Sequence, residues 1–143
     1  MKPKLINQQS GRDGEFTDER IVDFLYEHLD QFGDPKQDIQ KCLNYVHQRG
    51  GFVLLGIIEN DIAGAVVINE TGMTGYIPEN ILVYIAVNRK HRGQGLGKEL
   101  MQNALKLCHG NVALHVEPDN PARFLYEKLG FTNKYLEMRW QRP

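Results

Sequence analysis

Residues 81–100 of the chain read ILVYIAVNRKHRGQGLGKEL. The apolar run over 81–87 predicts a central strand that is covered on both faces, at the middle of a sheet. A basic, glycine-rich segment over 88–97 follows it, and apolar residues then recur at helical spacing until Cys108. The sequence therefore predicts a strand, a tight bend and a helix in direct succession.

The bend has the composition of an anion-binding site. Gly93, Gly95 and Gly97 lack Cβ atoms, so a ligand can approach the backbone and the turn can adopt positive φ. The first amides of the following helix have no intrahelical partner and lie at the positive end of the helix dipole. Four basic residues and no acidic one lie between 88 and 98: Arg89, Lys90, Arg92 and Lys98. A diphosphate is the expected ligand, and the alternative is a tight turn with a solvated basic rim.

The sequence of the bend does not match either of two common phosphate-binding motifs. A dinucleotide fingerprint starting at Gly93 would need glycine where Lys98 stands. A P-loop would need serine or threonine after Gly97-Lys98, where Glu99 stands. Both classes of nucleotide-binding protein are therefore excluded.

The rest of the chain predicts a single α/β domain over residues 1–143. A first strand at 5–6 is followed by two amphipathic helices, the first capped by Thr17. The apolar runs 52–58 and 62–68 predict an antiparallel hairpin, because Glu59-Asn60-Asp61 forms turns readily. The last expected elements are a strand at 112–116, a helix that begins after Asn120-Pro121 and ends at Gly130, and an alternating strand at 135–140.

Composition and charge exclude several classes of function. The chain has 143 residues and a formal net charge of -1, so it lacks the basic field needed to hold nucleic acid or anionic lipid. No apolar run approaches the length of a membrane span. Cys42 and Cys108 lack the spacing of a zinc site, and we expect them to be small buried hydrophobes. These features predict a cytoplasmic protein with no metal.

Two motifs give the chain a family resemblance. Arg92, Gly95 and Gly97 match the pattern Q/R-x-x-G-x-G/A, and residues 120–131, NPARFLYEKLGF, are similar to N-x-A-R-x-L-Y-x-x-x-G-F. With these motifs in this order, the chain resembles the GNAT superfamily of acetyl-CoA-dependent N-acetyltransferases. The resemblance implies a mixed, mostly antiparallel central sheet, flanked by helices and splayed between its fourth and fifth strands.

The resemblance also implies how acetyl-CoA would bind as a co-substrate. The pantetheine arm would lie along the splayed strand at Ile85, Ala86 and Val87, and Asn120 would contact it. The diphosphate would be held by the amides of the bend, with the Arg92 side chain assisting. These amides belong to Arg92, Gly93, Gln94, Gly95, Leu96, Gly97 and Lys98.

The resemblance implies a general acid but leaves several candidates for the general base. Tyr126 corresponds to a general acid that protonates the departing thiolate, and the alternatives are cofactor positioning or packing in the core. Ile81 stands where some members carry a glutamate base, so Glu79 is a candidate base, acting directly or through water. His115 and Glu117 are further candidates, and a relay through solvent is an equal alternative.

The implied reaction is direct transfer of an acetyl group from acetyl-CoA to the primary amine of a small molecule or peptide. The alternative is a regulatory module that binds CoA or acyl-CoA without turnover. Residues 13–34 carry eight acidic residues against Arg20, which favours either steering of a cationic amine or a solvated acidic face. The resemblance also favours a homodimer.

Overall fold

The computed structural model describes residues 1–143 as one five-stranded sheet with helices on both faces. The strands are β1 (Lys2–Ile6), β2 (Gly51–Ile58), β3 (Asp61–Glu70), β4 (Asn80–Val87) and β5 (Val112–Ala113). The helices are α1 (Asp18–His28), α2 (Lys36–Gln48), α3 (Leu96–Leu107) and α4 (Ala122–Lys128). None of these helices has both the length and the apolar character required to cross a membrane.

The sheet is mixed and mostly antiparallel, as predicted. Its strands lie in chain order, and every neighbouring pair is antiparallel except β4 and β5, which are parallel. The β2–β3 hairpin is confirmed, and its turn residues Glu59 and Asn60 have φ of 51° and 64°. Positive φ at both central residues is what a type I′ hairpin turn requires.

The two faces of the sheet carry separate cores because side chains alternate along each strand. On one face, Val53 and Val67 pack with buried residues of α1 and α2, among them Leu25. On the other face, Leu54 and Val66 pack with α3 and α4. The second core matters for function because it holds the two helices that follow the glycine bend.

The caps predicted for the first helix and the fourth helix are present. The Thr17 hydroxyl accepts the amide of Arg20 at 3.3 Å, which satisfies one of the free donors at the start of α1. The Asn120 carbonyl Oδ1 accepts the amide of Ala122 at 2.9 Å, where α4 begins. Local polar side chains therefore fix both helix starts.

The prediction that residues 81–87 form the middle of the sheet is wrong. β3 lies at the middle, and β2 and β3 are the strands buried on both faces. Along β4 buried residues alternate with half-buried ones, and β5 pairs with β4 over only two residues. An apolar sequence shows that a strand can be buried but does not show which strand is central.

Two predictions about the end of the chain are also wrong. The strand expected at 112–116 ends at Ala113, and residues 135–140 form no regular secondary structure. Leu136, Met138 and Trp140 are each more than two-thirds exposed. Their alternation suits a strand, but a strand also needs a neighbour to bond with, and none lies beside this segment.

Both cysteines are free thiols within the apolar packing, as expected. Cys42 is buried and Cys108 is half-buried. Burial raises the pKa of Cys42 to about 12 and that of Cys108 to about 11. Both thiols are therefore protonated and unreactive at neutral pH.

Candidate active site

The glycine bend opens its backbone to solvent. Gly93 and Gly95 have φ of 79° and 81°, in the left-handed region that glycine adopts without strain. A Cβ atom added to either residue would meet nothing within 4 Å. The glycines are thus required by the backbone conformation, and the space above them is free for a ligand.

The amides of this bend have no partner within the protein. From Gly93 to Lys98, no backbone N–H donates to any acceptor, and Gly95 supplies no side-chain cap to α3. Unpaired amides at a helix start carry partial positive charge and bind anions such as diphosphate. Six of the seven predicted amides are therefore free, and that of Arg92 is not, because it donates to the Arg89 carbonyl at 3.3 Å.

Two of the basic side chains around the bend are already engaged. Arg92 and Arg89 both bind the Asp30 carboxylate, at 3.0 Å and 2.6 Å. Hydrogen bonds from Arg89 and then Arg92 hold the pKa of Asp30 below its ordinary value. Lys90 and Lys98 form no ion pair within the protein. The amides and the two lysines are thus the groups left to attract an anion.

β4 and β5 are joined only where they begin. Their pairing ends at Ile81 and Ala113. The buried Asn80 side chain donates to the carbonyls of His109 and Asn111, at 2.8 Å and 3.3 Å, and so fastens this start. Beyond it the two strands separate, and one edge of β4 has no neighbouring strand.

The free edge of β4 presents backbone groups at its end. The amide of Asn88 donates to the Ala63 carbonyl of β3 at 2.8 Å. Because N–H groups alternate between the two edges of an antiparallel strand, Val87 and Ile85 direct theirs toward the free edge. Ala86 lies between them and faces β3. Of the three strand residues predicted to bind the donor, Ile85 has its backbone groups available and Val87 has its amide, because the Val87 carbonyl accepts Arg92 Nε at 3.0 Å.

Gly97 marks the point where the bend, β4 and α4 meet. A Cβ atom added there would lie 3.5 Å from Leu125 Cδ2 and 3.6 Å from Val87 Cγ2. Tyr126, the next residue along α4, packs in the core of the α3–α4 face and its ring lies 5.9 Å from that of Phe131. The structure thus brings α4, and with it Tyr126, to the same end of the sheet as the bend.

The Tyr126 hydroxyl has no hydrogen-bond partner in the protein, although the residue is only 7% exposed. No fully buried side-chain oxygen in the structure lacks a partner, so this hydroxyl retains contact with solvent. Burial of the ring raises the pKa of Tyr126 to about 12. The phenol is therefore a protonated donor at neutral pH, with its hydroxyl free to bind a ligand.

Asn120 is fixed by the cap that it forms. Its carbonyl oxygen is engaged by the amide of Ala122, as described above. The side-chain nitrogen donates to no acceptor in the protein, and the residue is half-buried. That nitrogen is the group which Asn120 can offer to a ligand.

Glu79 is held by several hydrogen bonds. Its carboxylate accepts the amide of Asn111 at 2.7 Å, the amide of Gly75 at 3.1 Å and the Thr74 hydroxyl at 2.9 Å. These bonds, led by the one from Asn111, lower the pKa of Glu79 to about 2. A carboxylate of such low basicity is a weak proton acceptor, and its bonds join the start of β4 to the loop before β5.

This role for Glu79 predicts a pH-dependent contribution to stability. The ordinary pKa is 4.5 and the folded value is about 2, so the stabilisation is complete above pH 4.5 and is lost as the pH falls toward 2. Urea titrations of the wild type and of Glu79→Gln should differ most at neutral pH, and the difference should shrink through this window. A difference that stays constant with pH would contradict the role.

Half of the eight acidic residues at 13–34 form ion pairs with N–O distances of 3.0 Å or less. The pairs are Lys4–Asp13 at 3.0 Å, Arg12–Asp18 at 2.9 Å, Lys36–Asp23 at 3.0 Å and Arg89–Asp30 at 2.6 Å. These pairs weaken the field with which the tract could steer a cationic substrate over a distance. The geometry favours the solvated acidic face over the steering role.

Sequence patterns place Asp30 only in the acidic tract at 13–34 and do not indicate that Asp30 or His28 contacts the bend. Their partners in the bend lie about 60 residues away along the chain, so no local pattern indicates the contact. The available signal was an acidic residue two positions beyond the first helix, since a carboxylate there can meet basic residues of a neighbouring turn. The contacts themselves depend on the tertiary fold.

Comparison with known proteins agrees with this geometry. The family model described as acetyltransferase (GNAT) family matches residues 15–131. The chain belongs to the GNAT acetyltransferase family, and the resemblance inferred from the two motifs is confirmed.

Individual relatives agree with this assignment. The chain is 33% identical over 84 residues to a 5-NmdU N-acetyltransferase of Pseudomonas phage PaMx11, covering 57% of this chain and 58% of that one. It is 28% identical over 126 residues to N-alpha-acetyltransferase 30 of Schizosaccharomyces pombe, covering 78% of this chain and 82% of that one. The chain thus spans little more than half the length of the phage relative.

A solved structure confirms the fold class. The ribosomal-protein-alanine N-acetyltransferase of Brucella melitensis biovar Abortus 2308 superposes with a TM-score of 0.65 at 17% identity. The match covers 99% of this chain and all of that one. The prediction of a GNAT-like α/β domain with a mixed sheet is therefore confirmed. The curated relatives described here are N-acetyltransferases, which supports acetyl transfer over regulatory CoA binding.

Proposed function

We propose that this protein transfers an acetyl group from acetyl-CoA to a primary amine by direct transfer. The observation that carries the proposal is the run of unpaired amides from Gly93 to Lys98, directly beside the free edge of β4. A diphosphate and an extended amide-containing arm need these two kinds of group next to each other. Family membership supplies the chemistry that such a ligand would serve.

The residues fit the donor molecule in their chemistry. Amides of Gly93 to Lys98 would bind the diphosphate, since the space above Gly93 and Gly95 is open. Backbone groups of Ile85 would bond the pantetheine arm as a neighbouring strand would, with the Asn120 side-chain nitrogen as a further donor. The Val87 carbonyl accepts Arg92 Nε, so only the amide of Val87 is left for the donor molecule. The Arg92 guanidinium is turned away from the bend, toward Val87 and Asp30. Arg92 would therefore contribute to donor binding by fixing the position of the backbone and not by contacting the diphosphate.

Acetyl-CoA would supply a thioester whose carbonyl carbon the amine attacks and whose sulfur leaves as the thiol of CoA. The Val87 amide on the free edge would donate to the carbonyl oxygen as negative charge develops there. Tyr126 would donate its hydroxyl proton toward the departing sulfur. The free, solvent-accessible hydroxyl of Tyr126 supports this role.

The pKa of Tyr126 sets how far that proton moves. A thiol has an ordinary pKa near 8.5, so complete transfer from a phenol of pKa about 12 is uphill by about 5 kcal/mol. In our proposal the phenol therefore acts mainly by hydrogen bonding to the sulfur as its charge develops. Desolvation of the sulfur in the same site would raise its basicity and favour the transfer.

We assign no side chain as the base. Ile81 cannot accept a proton, and the hydrogen bonds of Glu79 make it a weak acceptor. His115 and Glu117 are exposed, and neither forms a side-chain hydrogen bond or an ion pair in the structure. We propose that water carries the amine proton from the site to bulk solvent.

The acceptor is proposed as the primary amine of a small molecule or peptide. The names of the two relatives indicate different acceptors, so we do not propose a narrower class of amine for this protein. Two cavities of about 280 and 520 Å³ open beside α1, and each is lined in part by Asn88 or Arg89, just after β4. We propose that the amine reaches the site from this side.

We also propose a cytoplasmic location, which the two free cysteines suit. The proposed oligomeric state is a homodimer.

The test of the proposed function is release of free thiol from acetyl-CoA in the presence of a panel of amines. The panel should include a polyamine, an aminoglycoside, an aminomethyl nucleoside and a peptide with a free N-terminus. Release that depends on one of these acceptors is the expected result. Binding of CoA without acceptor-dependent release would instead support the regulatory module.

Donor binding should also raise the melting temperature. A ligand present at 100 times its Kd stabilises the native state by about 2.7 kcal/mol, which corresponds to roughly 5–10 °C for a domain of this size. We expect such a rise with acetyl-CoA and with CoA, measured by differential scanning fluorimetry. An unchanged melting temperature at saturating CoA would contradict the proposed donor site.

A further inference from the structure

The Arg92 guanidinium joins three parts of the fold instead of facing the bend. Its Nε donates to the Val87 carbonyl at 3.0 Å, Nη2 to the His28 carbonyl at 2.7 Å and Nη1 to Asp30 Oδ2 at 3.0 Å. The end of β4, the end of α1 and Asp30, two positions beyond α1, are thus bound by one rigid, planar group. All three nitrogens of the guanidinium are engaged.

Asp30 is the partner of Arg92 in this contact, which we call the Arg92–Asp30 clamp. It adopts a φ of 56°, which is uncommon for a residue other than glycine, and its other oxygen accepts two bonds from Arg89 at 2.6 and 3.0 Å. Arg89 also donates to the Glu27 carbonyl at 2.6 Å. The two arginines therefore satisfy carbonyls at the end of α1 that have no partner within the helix.

His28 completes the contact from the α1 side. Its Nδ1 faces the amide of Arg89 at 3.4 Å, an arrangement that needs a neutral ring. Burial lowers the pKa of His28, and the nearby Arg89 and Arg92 act in the same direction. The ring is neutral at physiological pH and accepts from the backbone of the turn.

We propose that Arg92 is a positioning residue and that the Arg92–Asp30 clamp holds the bend in the position in which its amides can bind the donor diphosphate. The inference rests on the proposed function, because it assigns the clamp a role in donor binding. The clamp also links the donor side to α1, which lines both cavities on the proposed acceptor side. Its contribution is geometric rather than electrostatic.

The exposure of the pair supports a local role. The side chains of Arg92 and Asp30 are 41% and 39% exposed, and ion pairs in such surroundings add little to global stability. Their removal should therefore lower the melting temperature only slightly. Removal of the Arg92 side chain should instead loosen the segment after Arg89, because the bend would then be held only by the bonds of Arg89 to α1 and by local backbone bonds over 88–92.

The variants Arg92→Ala, Asp30→Asn, the double variant and Arg92→Lys separate this role from direct phosphate binding. We expect Arg92→Ala and Asp30→Asn each to raise the KM for acetyl-CoA by about tenfold with kcat little changed. The double variant should be no worse than Arg92→Ala, and Arg92→Lys should fail to rescue because a lysine cannot form the three bonds. Calorimetric titration with CoA should show the same loss of affinity.

Direct binding of phosphate by Arg92 gives the opposite pattern. In that case Asp30→Asn would leave the KM unchanged or lower it, Arg92→Lys would restore most of the affinity, and the clamp would be refuted. CoA binding by the wild-type protein distinguishes failure of the proposed function from failure of the clamp. Wild-type protein that does not bind CoA refutes the proposed function, whereas normal wild-type binding with unaffected variants refutes the clamp alone.

Discussion

Tyr126→Phe should lower kcat about 100-fold or more while the KM for acetyl-CoA changes little, because removing a positioned acid typically costs this much. The phenol is the one side-chain donor that we place at the departing sulfur. Its hydroxyl makes no hydrogen bond within the protein, so its removal leaves no buried group unpaired and should not lower the melting temperature. Steady-state kinetics and fluorimetry on the same preparation measure both effects.

Tyr76→Phe is the control for this prediction. Tyr76 is 83% exposed in the loop between β3 and β4, and it has no place in the proposed site. It should retain wild-type kinetics. Full activity in Tyr126→Phe would contradict the acid role and leave Tyr126 as a packing residue of the α3–α4 face.

Gly95→Val should weaken acetyl-CoA binding by about 100-fold or more, since each hydrogen bond to a charged group contributes about 1.5–3 kcal/mol and the change removes more than one. The valine side chain would enter the open space above the bend. The φ of 81° also strains any residue with a Cβ, at a cost of about 1–2 kcal/mol to folding. Isothermal calorimetry with CoA measures the affinity, and thermal unfolding confirms that the fold remains.

Gly72→Val is a matched control for the strain. Gly72 has a φ of 77° and, like Gly95, no atom within 4 Å of an added Cβ, but it lies in the β3–β4 loop. It should lose comparable stability and keep wild-type affinity for CoA. Equal affinity in Gly95→Val and Gly72→Val would show that the bend does not hold the diphosphate.

Local signals in the sequence predicted most of the elements. The cap at Thr17 and the turn at Glu59-Asn60 act within a few residues, so they can be read without the fold. The glycine bend belongs to the same class, because its positive φ values arise within the segment itself. The donor side of the candidate site was predictable for this reason.

Features that depend on distant partners were not predictable in this way. The segment 135–140 alternates like a strand but has no neighbour to pair with, and β5 ends at Ala113 where β4 diverges from it. The clamp joins Arg92 to Asp30, residues 62 apart in the chain. Its existence depends on α1 ending beside the bend, which only the packing of α1 on the sheet determines.

The most direct measurement is a crystal structure of the protein with bound CoA. We predict diphosphate oxygens within about 3 Å of backbone nitrogens between Gly93 and Lys98, with the pantetheine arm along the free edge of β4 at Ile85 and Val87. A diphosphate bound elsewhere, or held only by lysine side chains while these amides face solvent, would contradict the proposed donor site.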